Sequence, residues 1–346
     1  MQALWGMYPE ELKALMLGWG EPAYRGKQLF SDLQKGLAVD EMTVLPKALR
    51  ERLRPLLPEP PVQILEQHES AEDGTVKLLY GLADRNCIEG VLMRYHYGVT
   101  LCVSTQVGCA MGCLFCASTL DGCVRSLTAA EMAGQVLCAN RLLKDKGEHV
   151  SRLVLMGSGE PLNNYDEVLR FIRVVTHPDG LGISARRISL STCGLPDGIR
   201  RLAHEGLELT LSLSLHAPDD ETRKKIMPIA RRYTIAETLE ACQEYYENTG
   251  RRLILEYALI DGINAGPADA QKLSRLLKGR NCHVNLIALN TVKERSLYGA
   301  GEKQIARFID ILTANSISAT RRRTMGDDIE GACGQLRKKH LEDNGQ

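Results

Sequence analysis

Short apolar runs typical of β-strands recur along the chain from residue 100 onward. Stretches with apolar positions every three or four residues, as in amphipathic helices, separate these runs. Strands that alternate with helices at this spacing indicate βαβ units, a parallel sheet and right-handed crossovers. The predicted strands are 101–105, 152–157, 187–192, 209–214, 253–259 and 283–289, and the predicted helices are 128–144, 164–176, 234–248, 267–278 and 302–314.

Six such units are too few for a closed eight-stranded barrel, so we predict an α/β fold with a partial (β/α)6 barrel. Upstream, short helical patterns end at a proline-rich stretch, which is typical of a linker. Two strand-like runs around a polar turn follow it and predict a hairpin. We therefore expect a helical accessory domain at 1–60, a linker and β-hairpin extension at 61–99, the partial barrel at 100–320 and a C-terminal segment at 321–346.

Composition narrows the class of protein. The chain of 346 residues is 44% hydrophobic and 25% charged, as in ordinary globular proteins. Its formal net charge of +0 neither favours nor excludes a polyanionic partner. Eleven cysteines, without a signal-peptide pattern or an apolar run of membrane-span length, lead us to expect a cytoplasmic protein with no membrane partner. In that compartment the cysteines are buried apolar residues, metal ligands or redox groups.

Three of the cysteines, Cys109, Cys113 and Cys116, have the spacing C-x3-C-x2-C directly after the first predicted barrel strand. A structural zinc site normally uses four side chains. In a [4Fe–4S] cluster each iron needs one thiolate, so three thiolates leave one iron open to a substrate. Gly108 and Gly112 allow the loop to wrap closely around such a group. We predict a [4Fe–4S] cluster, with a zinc site and three buried cysteines as the alternatives.

This spacing, with an aromatic residue before the last cysteine, resembles the radical S-adenosylmethionine (SAM) superfamily. The resemblance implies that SAM binds the open iron and is cleaved there to a carbon radical. The segment MGSGEP, which contains Gly159 and Glu160, resembles the glycine-rich motif of that superfamily, which receives the methionine amino group of SAM.

Five segments narrow the resemblance to one family, whose members methylate adenine carbons in RNA: LCVSTQVGC, GSGEPLNN, SLSLHAPDD, HVNLIALN and GDDIEGACGQL. The N-terminal GWGEPAYRGKQLF also resembles that family, so the likeness covers roughly residues 9–340. It implies methylation at C2 of an adenine in 23S rRNA and possibly in tRNA, an RNA-binding role for the N-terminal domain, an electron donor such as flavodoxin, and a monomer. A sister group methylates C8 and commonly has Ala where this chain has Pro161.

The resemblance also implies roles for single residues. Cys333 carries the methyl group that joins the base, Cys102 releases the product by forming a disulfide with Cys333, and Glu89 removes the ring proton. Without the resemblance, Cys102 is typical of a strand core and Glu89 of a hairpin surface. The implied SAM contacts are Gly159, Glu160, Ser191, Ser214, Leu215, His216 and Asn290.

Other functions stay open at this point. Departures from the family pattern at Ser118, Cys123, Ser158 and Cys193 fit a paralogue that methylates C8 or another RNA adenine. A non-catalytic iron–sulfur or zinc RNA-binding protein and a radical enzyme of other specificity are further alternatives. Basic clusters near strand ends predict contacts to phosphates around a flipped base. They are Arg186–Arg187, Arg200–Arg201, Arg223–Lys225, Arg231–Arg232 and Arg321–Arg323.

Overall fold

The computed structural model describes residues 4–57, 60–289, 297–329, 336–337 and 340. Its strands are β1 Val62–Glu69, β2 Val76–Leu82, β3 Cys87–Tyr95, β4 Gly98–Cys102, β5 Gln106–Gly108, β6 Cys123–Ser126, β7 Val150–Leu155, β8 Ile188–Thr192, β9 Thr210–Ser214, β10 Leu253–Leu259, β11 Cys282–Ala288 and β12 Ala319–Arg321. Ten of them form one sheet in the order β1-β2-β3-β4-β7-β8-β9-β10-β11-β12, and β5 pairs with β6.

The sheet has a parallel part and an antiparallel part. From β4 through β7 to β12 every neighbouring pair is parallel and in chain order, which confirms the predicted α/β partial barrel. The three-residue β12, too short to be predicted, adds a seventh parallel strand. The predicted hairpin is β2–β3, and β1 and β4 extend it to a four-stranded antiparallel meander that is continuous with the barrel sheet.

The helices lie between the strands as the periodicity predicts. Thr128 and Thr234 begin two of them with capping boxes, in which the threonine hydroxyl accepts from the backbone of a glutamate three residues later. Two helices of seven and eight residues were not predicted, because two turns give too little periodicity. The helices are α1 Pro9–Gly18, α2 Tyr24–Gln34, α3 Lys47–Leu53, α4 Ala129–Leu143, α5 Tyr165–Thr176, α6 Pro196–Ala203, α7 Asp220–Ile226, α8 Ile235–Thr249, α9 Pro267–Leu277 and α10 Glu302–Ala314.

The parallel strands have one apolar and one polar face. Leu190 on β8 and Leu211 and Leu213 on β9 belong to the main hydrophobic core, together with residues of the covering helices. Because successive side chains of a strand point to opposite faces, the alternating Ser191 and Ser214 lie on the other face, where they line a cavity. The sequence pattern Leu-Ser-Leu-Ser therefore places apolar residues under the helices and hydroxyl groups in the interior of the barrel.

The N-terminal helices α1 to α3 have a second hydrophobic core of their own, which includes Leu12, Met16 and Phe30. This core extends onto Ala130 and Leu137 of α4. Within the described part of the chain, no helix has the length and apolar character needed to cross a membrane.

Candidate active site

The carboxyl ends of the parallel strands surround a cavity of about 370 Å³. This is the edge of the sheet at which α/β folds carry their chemistry. Most of the residues predicted from the sequence to form a site line this one cavity: Cys102, Cys109, Cys113, Cys116, Gly159, Glu160, Ser191, Ser214 and His216. Asn290 and Cys333 lie outside the described residues.

The three-cysteine loop connects β5 to β6, which pair with each other and close the base of the loop. Gly108 has a φ of +77°, and a Cβ there would lie 2.0 Å from the carbonyl oxygen of Gly122, so only glycine fits. Leu114 N donates to the carbonyl of Ile226 at 2.9 Å, which fastens the loop to α7. The Thr119 hydroxyl lies within hydrogen-bond distance of the carbonyls of both Cys113 and Cys116. The loop backbone is thus fixed by its own hydrogen bonds.

The thiols of this loop suit an iron–sulfur cluster. Burial raises the pKa of Cys109 to about 12 and raises that of Cys113 as well, so a thiolate here needs a cation beside it. In a cluster each thiolate binds a different iron, so the cluster itself supplies these cations. The three thiols of this loop therefore fit [4Fe–4S].

The glycine-rich segment after β7 packs directly on the segment after β4. Gly159 has a φ of +110°, and a Cβ there would lie 2.7 Å from the backbone nitrogen of Gln106. Glu160 N donates to Gln106 Oε1 at 2.9 Å. The buried Glu160 carboxylate accepts from the backbone N–H groups of Leu162 at 3.0 Å and Cys193 at 2.8 Å. Burial raises its pKa, although these hydrogen bonds oppose the rise. Glu160 thus ties the ends of β7 and β8 together and lines the cavity.

His216 adopts the left-handed conformation, with a φ of +53°. Its Nδ1 accepts from the backbone N–H of Ala258 at 2.9 Å, so the proton of the neutral ring is on Nε2. Burial lowers its pKa to about 3, and the nearby Arg223 adds to this effect. Asn264 supports the turn by donating to the His216 carbonyl at 2.7 Å. The ring packs edge-on to Phe115 of the cysteine loop, with centroids 4.6 Å apart.

Leu215, also expected to contact SAM, has a fully buried side chain in the main core. Its backbone N–H donates to the Glu256 carbonyl at 3.1 Å, and its own carbonyl accepts from Arg223 Nε at 3.1 Å. Its place in the core fixes the turn between Ser214 and His216.

Arg223 was missed as a site residue and is fully buried. Its guanidinium donates to the carbonyls of Cys193, Ser214 and Leu215 at 2.6, 3.2 and 3.1 Å, so it joins the ends of β8 and β9. The prediction that this arginine contacts phosphate is therefore wrong. In the sequence it stands among charged residues of a short helix, and nothing in the pattern distinguishes it from them.

Comparisons with known proteins fit this geometry. Residues 103–273 match the family model of the radical SAM superfamily. The chain is 49% identical over 335 residues to a "Probable dual-specificity RNA methyltransferase RlmN" of Alkaliphilus metalliredigens, covering 96% of this chain and 94% of that relative. A relative of the same name from Lachnoclostridium phytofermentans is 51% identical, covering 96% and 93%. The chain belongs to this family of radical SAM methyltransferases.

A solved structure supports the assignment. A radical SAM methyltransferase from Sphaerobacter thermophilus has a TM-score of 0.93 and 43% identity, covering 97% of this chain and 99% of that chain. As a radical SAM methyltransferase, the present protein uses a [4Fe–4S] cluster and SAM. The alternatives of a zinc protein and of a binding protein without catalysis are thereby excluded.

A second set of polar side chains, separate from those at the strand ends, lies where the antiparallel meander meets the barrel sheet. Glu89 on β3 and Cys102 on β4, both buried, line a small cavity together with Arg337. Cys102 also lines the large cavity and so connects the two. Lys77 Nζ lies 3.7 Å from Glu89 Oε2, and both side chains are almost fully buried. The backbone N–H of Arg337 donates to Glu89 Oε1 at 2.5 Å.

No two cysteines of the described residues form a disulfide with each other. The basic clusters divide into two groups. Arg322 and Arg323 line the large cavity. Others form ion pairs with surface acids, as Arg186 does with Glu208 at 2.6 Å, and such pairs are less available to phosphate.

Proposed function

We propose that this protein methylates C2 of an adenine in RNA, with 23S rRNA and tRNA as the substrates. The observation that carries the proposal is the position of Cys102. Its buried thiol lies between the cavity of the three-cysteine loop and the buried carboxylate of Glu89. A relative named as a dual-specificity RNA methyltransferase supports the substrate class.

The large cavity is the site of the cofactors. When bound, the cluster and SAM supply the methyl groups and the hydrogen-abstracting radical. Cys109, Cys113 and Cys116 hold the cluster through their thiolates. Gly159, Glu160, Ser191, Ser214 and His216, which also line this cavity, would contact SAM, and Asn290 is a further proposed contact. His216 presents a neutral ring there, because its Nδ1 is held by Ala258 and its pKa is low.

Cys333 carries the methyl group in this proposal. A C–H bond of that methyl group would break by transfer of its hydrogen atom to the SAM-derived radical, and its carbon would then bond to the ring carbon. This gives a thioether between protein and RNA once the ring has lost a proton and one electron, the electron returning to the cluster. Glu89 removes the proton from the ring carbon. Cys102 then attacks the sulfur of Cys333, the bond between that sulfur and carbon breaks, and the released electron pair takes up a proton to complete the product methyl group. The remaining Cys102–Cys333 disulfide is reduced before the next turnover.

The N-terminal helices α1 to α3 are the proposed accessory surface for RNA. The Arg52 guanidinium lies 4.4 Å from the centroid of the Trp19 ring on this surface. Stacked arginine and aromatic groups of this kind suit unpaired bases. We further propose a monomer that acts in the cytoplasm and receives electrons from a donor such as flavodoxin.

The test is nucleoside analysis of 23S rRNA and tRNA treated with the reconstituted enzyme, SAM and a reductant. The expected product is 2-methyladenosine, together with 5′-deoxyadenosine. Pro161 after Glu160 favours C2 through resemblance to the C2 group. Detection of 8-methyladenosine as the sole product would overturn the position, and 5′-deoxyadenosine without any methylated adenine would overturn the substrates.

A further inference from the structure

A row of polar side chains crosses four neighbouring strands on the cavity face of the barrel. Ser191 on β8 and Ser214 on β9 have their hydroxyl oxygens 3.4 Å apart. In the parallel register Ser214 is opposite Glu256 on β10, and Glu256 is opposite Asn285 on β11. Neighbouring strands lie about 4.8 Å apart, so three spacings make the row about 14 Å long. A ligand along this row meets polar groups at several points.

Glu256 is the unusual member of the row. Its side chain is buried, and its Oε1 accepts from Asn285 Nδ2 at 3.1 Å. Among the described residues, its Oε2 has no hydrogen-bond partner. Arg322 Nη1 lies 3.9 Å from this oxygen, which is too far for a hydrogen bond but close enough to favour the carboxylate. Burial raises the pKa of Glu256, and Arg322 and Asn285 oppose the rise. Burying an acceptor without a hydrogen-bond donor costs free energy, so a ligand that donates a hydrogen bond to this oxygen would gain binding free energy.

The residues around Glu256 indicate which ligand group donates to its Oε2. Glu256 lines the same cavity as the three cysteines. Two residues later on β10, the backbone N–H of Ala258 donates to His216. The methionine end of SAM belongs at the cluster and at Glu160. Its adenosine is then left to extend along the row that begins at Ser191 and Ser214. A buried carboxylate that accepts from ribose hydroxyl groups is the arrangement used by dinucleotide-binding folds.

We propose that Glu256, oriented by Asn285, accepts a hydrogen bond from a ribose hydroxyl of SAM. This inference rests on the proposed placement of SAM beside Ser191 and Ser214 and is independent of which RNA is methylated. Asn285 is a positioning residue in this arrangement, since it holds the other oxygen of the carboxylate.

The test measures binding of SAM and of its 2′-deoxy and 3′-deoxy analogues to the reconstituted holoenzyme by equilibrium dialysis. The variant is Glu256→Gln, and the control is Glu208→Gln, which changes an exposed carboxylate paired with Arg186. In the wild type, removal of the contacted hydroxyl weakens binding about tenfold or more. Glu256→Gln weakens SAM binding to a similar extent and then loses nothing further with that analogue, because the pair is already broken. The control binds like the wild type.

Other outcomes overturn the proposal. The first is that the wild type binds SAM and both deoxy analogues equally well, a result that needs no variant. The second is that removal of the hydroxyl weakens binding to Glu256→Gln as much as it weakens binding to the wild type. Unchanged SAM binding with weakened RNA binding would assign the oxygen to the RNA instead and would also overturn it. Iron content and thermal unfolding show whether Glu256→Gln is folded. If Glu256→Gln and the deoxy analogue show the expected shared loss of SAM binding but the enzyme forms no methyladenosine, the proposed RNA function is rejected and the role of Glu256 is not.

Discussion

The ends of β7 to β9 and the meander strands β2 to β4 meet at the same cavity but hold their polar groups in different ways. At the strand ends, Glu160, His216 and Arg223 form hydrogen bonds with backbone N–H and carbonyl groups of neighbouring segments. In the meander, Glu89 is held by the Lys77 ammonium and lines a small cavity together with the buried Cys102. The first region is a fixed frame suited to cofactors, and the second has groups suited to proton and thiol chemistry.

The largest expected effect is in the cysteine loop, which faces the same cavity as the strand ends. Replacement of Cys109, Cys113 and Cys116 by Ala should abolish the [4Fe–4S] centre, because no other described thiols share the loop that faces the cavity. Iron and sulfide analysis and 5′-deoxyadenosine formation after anaerobic reconstitution measure the loss. Cys242→Ala, which removes a buried thiol of α8, should keep both. Four irons bound to the triple variant would contradict the ligand assignment.

The next effect separates the two regions. Lys77→Met removes the buried ammonium that lies 3.7 Å from Glu89 Oε2, and loss of one partner of a buried ion pair leaves the other charge poorly compensated, which disturbs the carboxylate that acts as the base. Adenine methylation should fall by about 100-fold, within the usual range for loss of a general base, while 5′-deoxyadenosine formation is kept. Product analysis by mass spectrometry measures both.

Lys77→Arg, which keeps the charge, is the matched control for this variant and should retain most of the methylation. Lys77, Cys102, Asp121 and the Arg337 backbone are among the groups that face Glu89 from the neighbouring elements. Full methylation by Lys77→Met at neutral pH would contradict the role of the pair.

The smallest effect concerns stability and pH. Folding lowers the pKa of His216 from 6.5 to about 3, so the unfolded chain binds one more proton between these values. The folded state should therefore lose stability as the pH falls through this window, by about 2 kcal/mol between pH 7 and pH 5. His216→Asn removes this contribution, and Asn tolerates the left-handed backbone.

Urea unfolding of the wild type and of His216→Asn at the two pH values measures this difference. His149→Asn, at an exposed position, is the control and should follow the wild type. Equal pH dependence of the His216 variant and the wild type would contradict the neutral, buried ring.

Much of this arrangement could be predicted from local pattern. The alternation of apolar and polar residues around Ser191 and Ser214 predicted strands. The cysteine loop, Gly159 and Glu160 follow strand ends, so they lie at one edge of the sheet. These features depend on sequence periodicity and on chain order, which a parallel sheet preserves.

Other features depend on contacts between distant elements. Lys77 is the one charge in the apolar strand β2, which signals burial, whereas Glu89 without the resemblance is typical of a hairpin surface. Their pairing follows from the hairpin register. Glu256 has the same signal within LILEYAL, and only the neighbouring strands show that one of its oxygens lacks a donor. Arg223 gave no signal, because α7 is too short to reveal which face is buried. Asn290 and Cys333 lie outside the described residues, so their roles stay proposals.

The proposed release of a Cys333–RNA thioether by Cys102 can be measured directly. The measurement is denaturing gel analysis and mass spectrometry of Cys102→Ala after reaction of the reconstituted enzyme with substrate RNA, SAM and a reductant. We expect a covalent protein–RNA species joined through Cys333 and no released product, whereas Cys333→Ala gives neither adduct nor product and Cys242→Ala turns over normally. Normal turnover by Cys102→Ala, without an adduct, would contradict this role of Cys102.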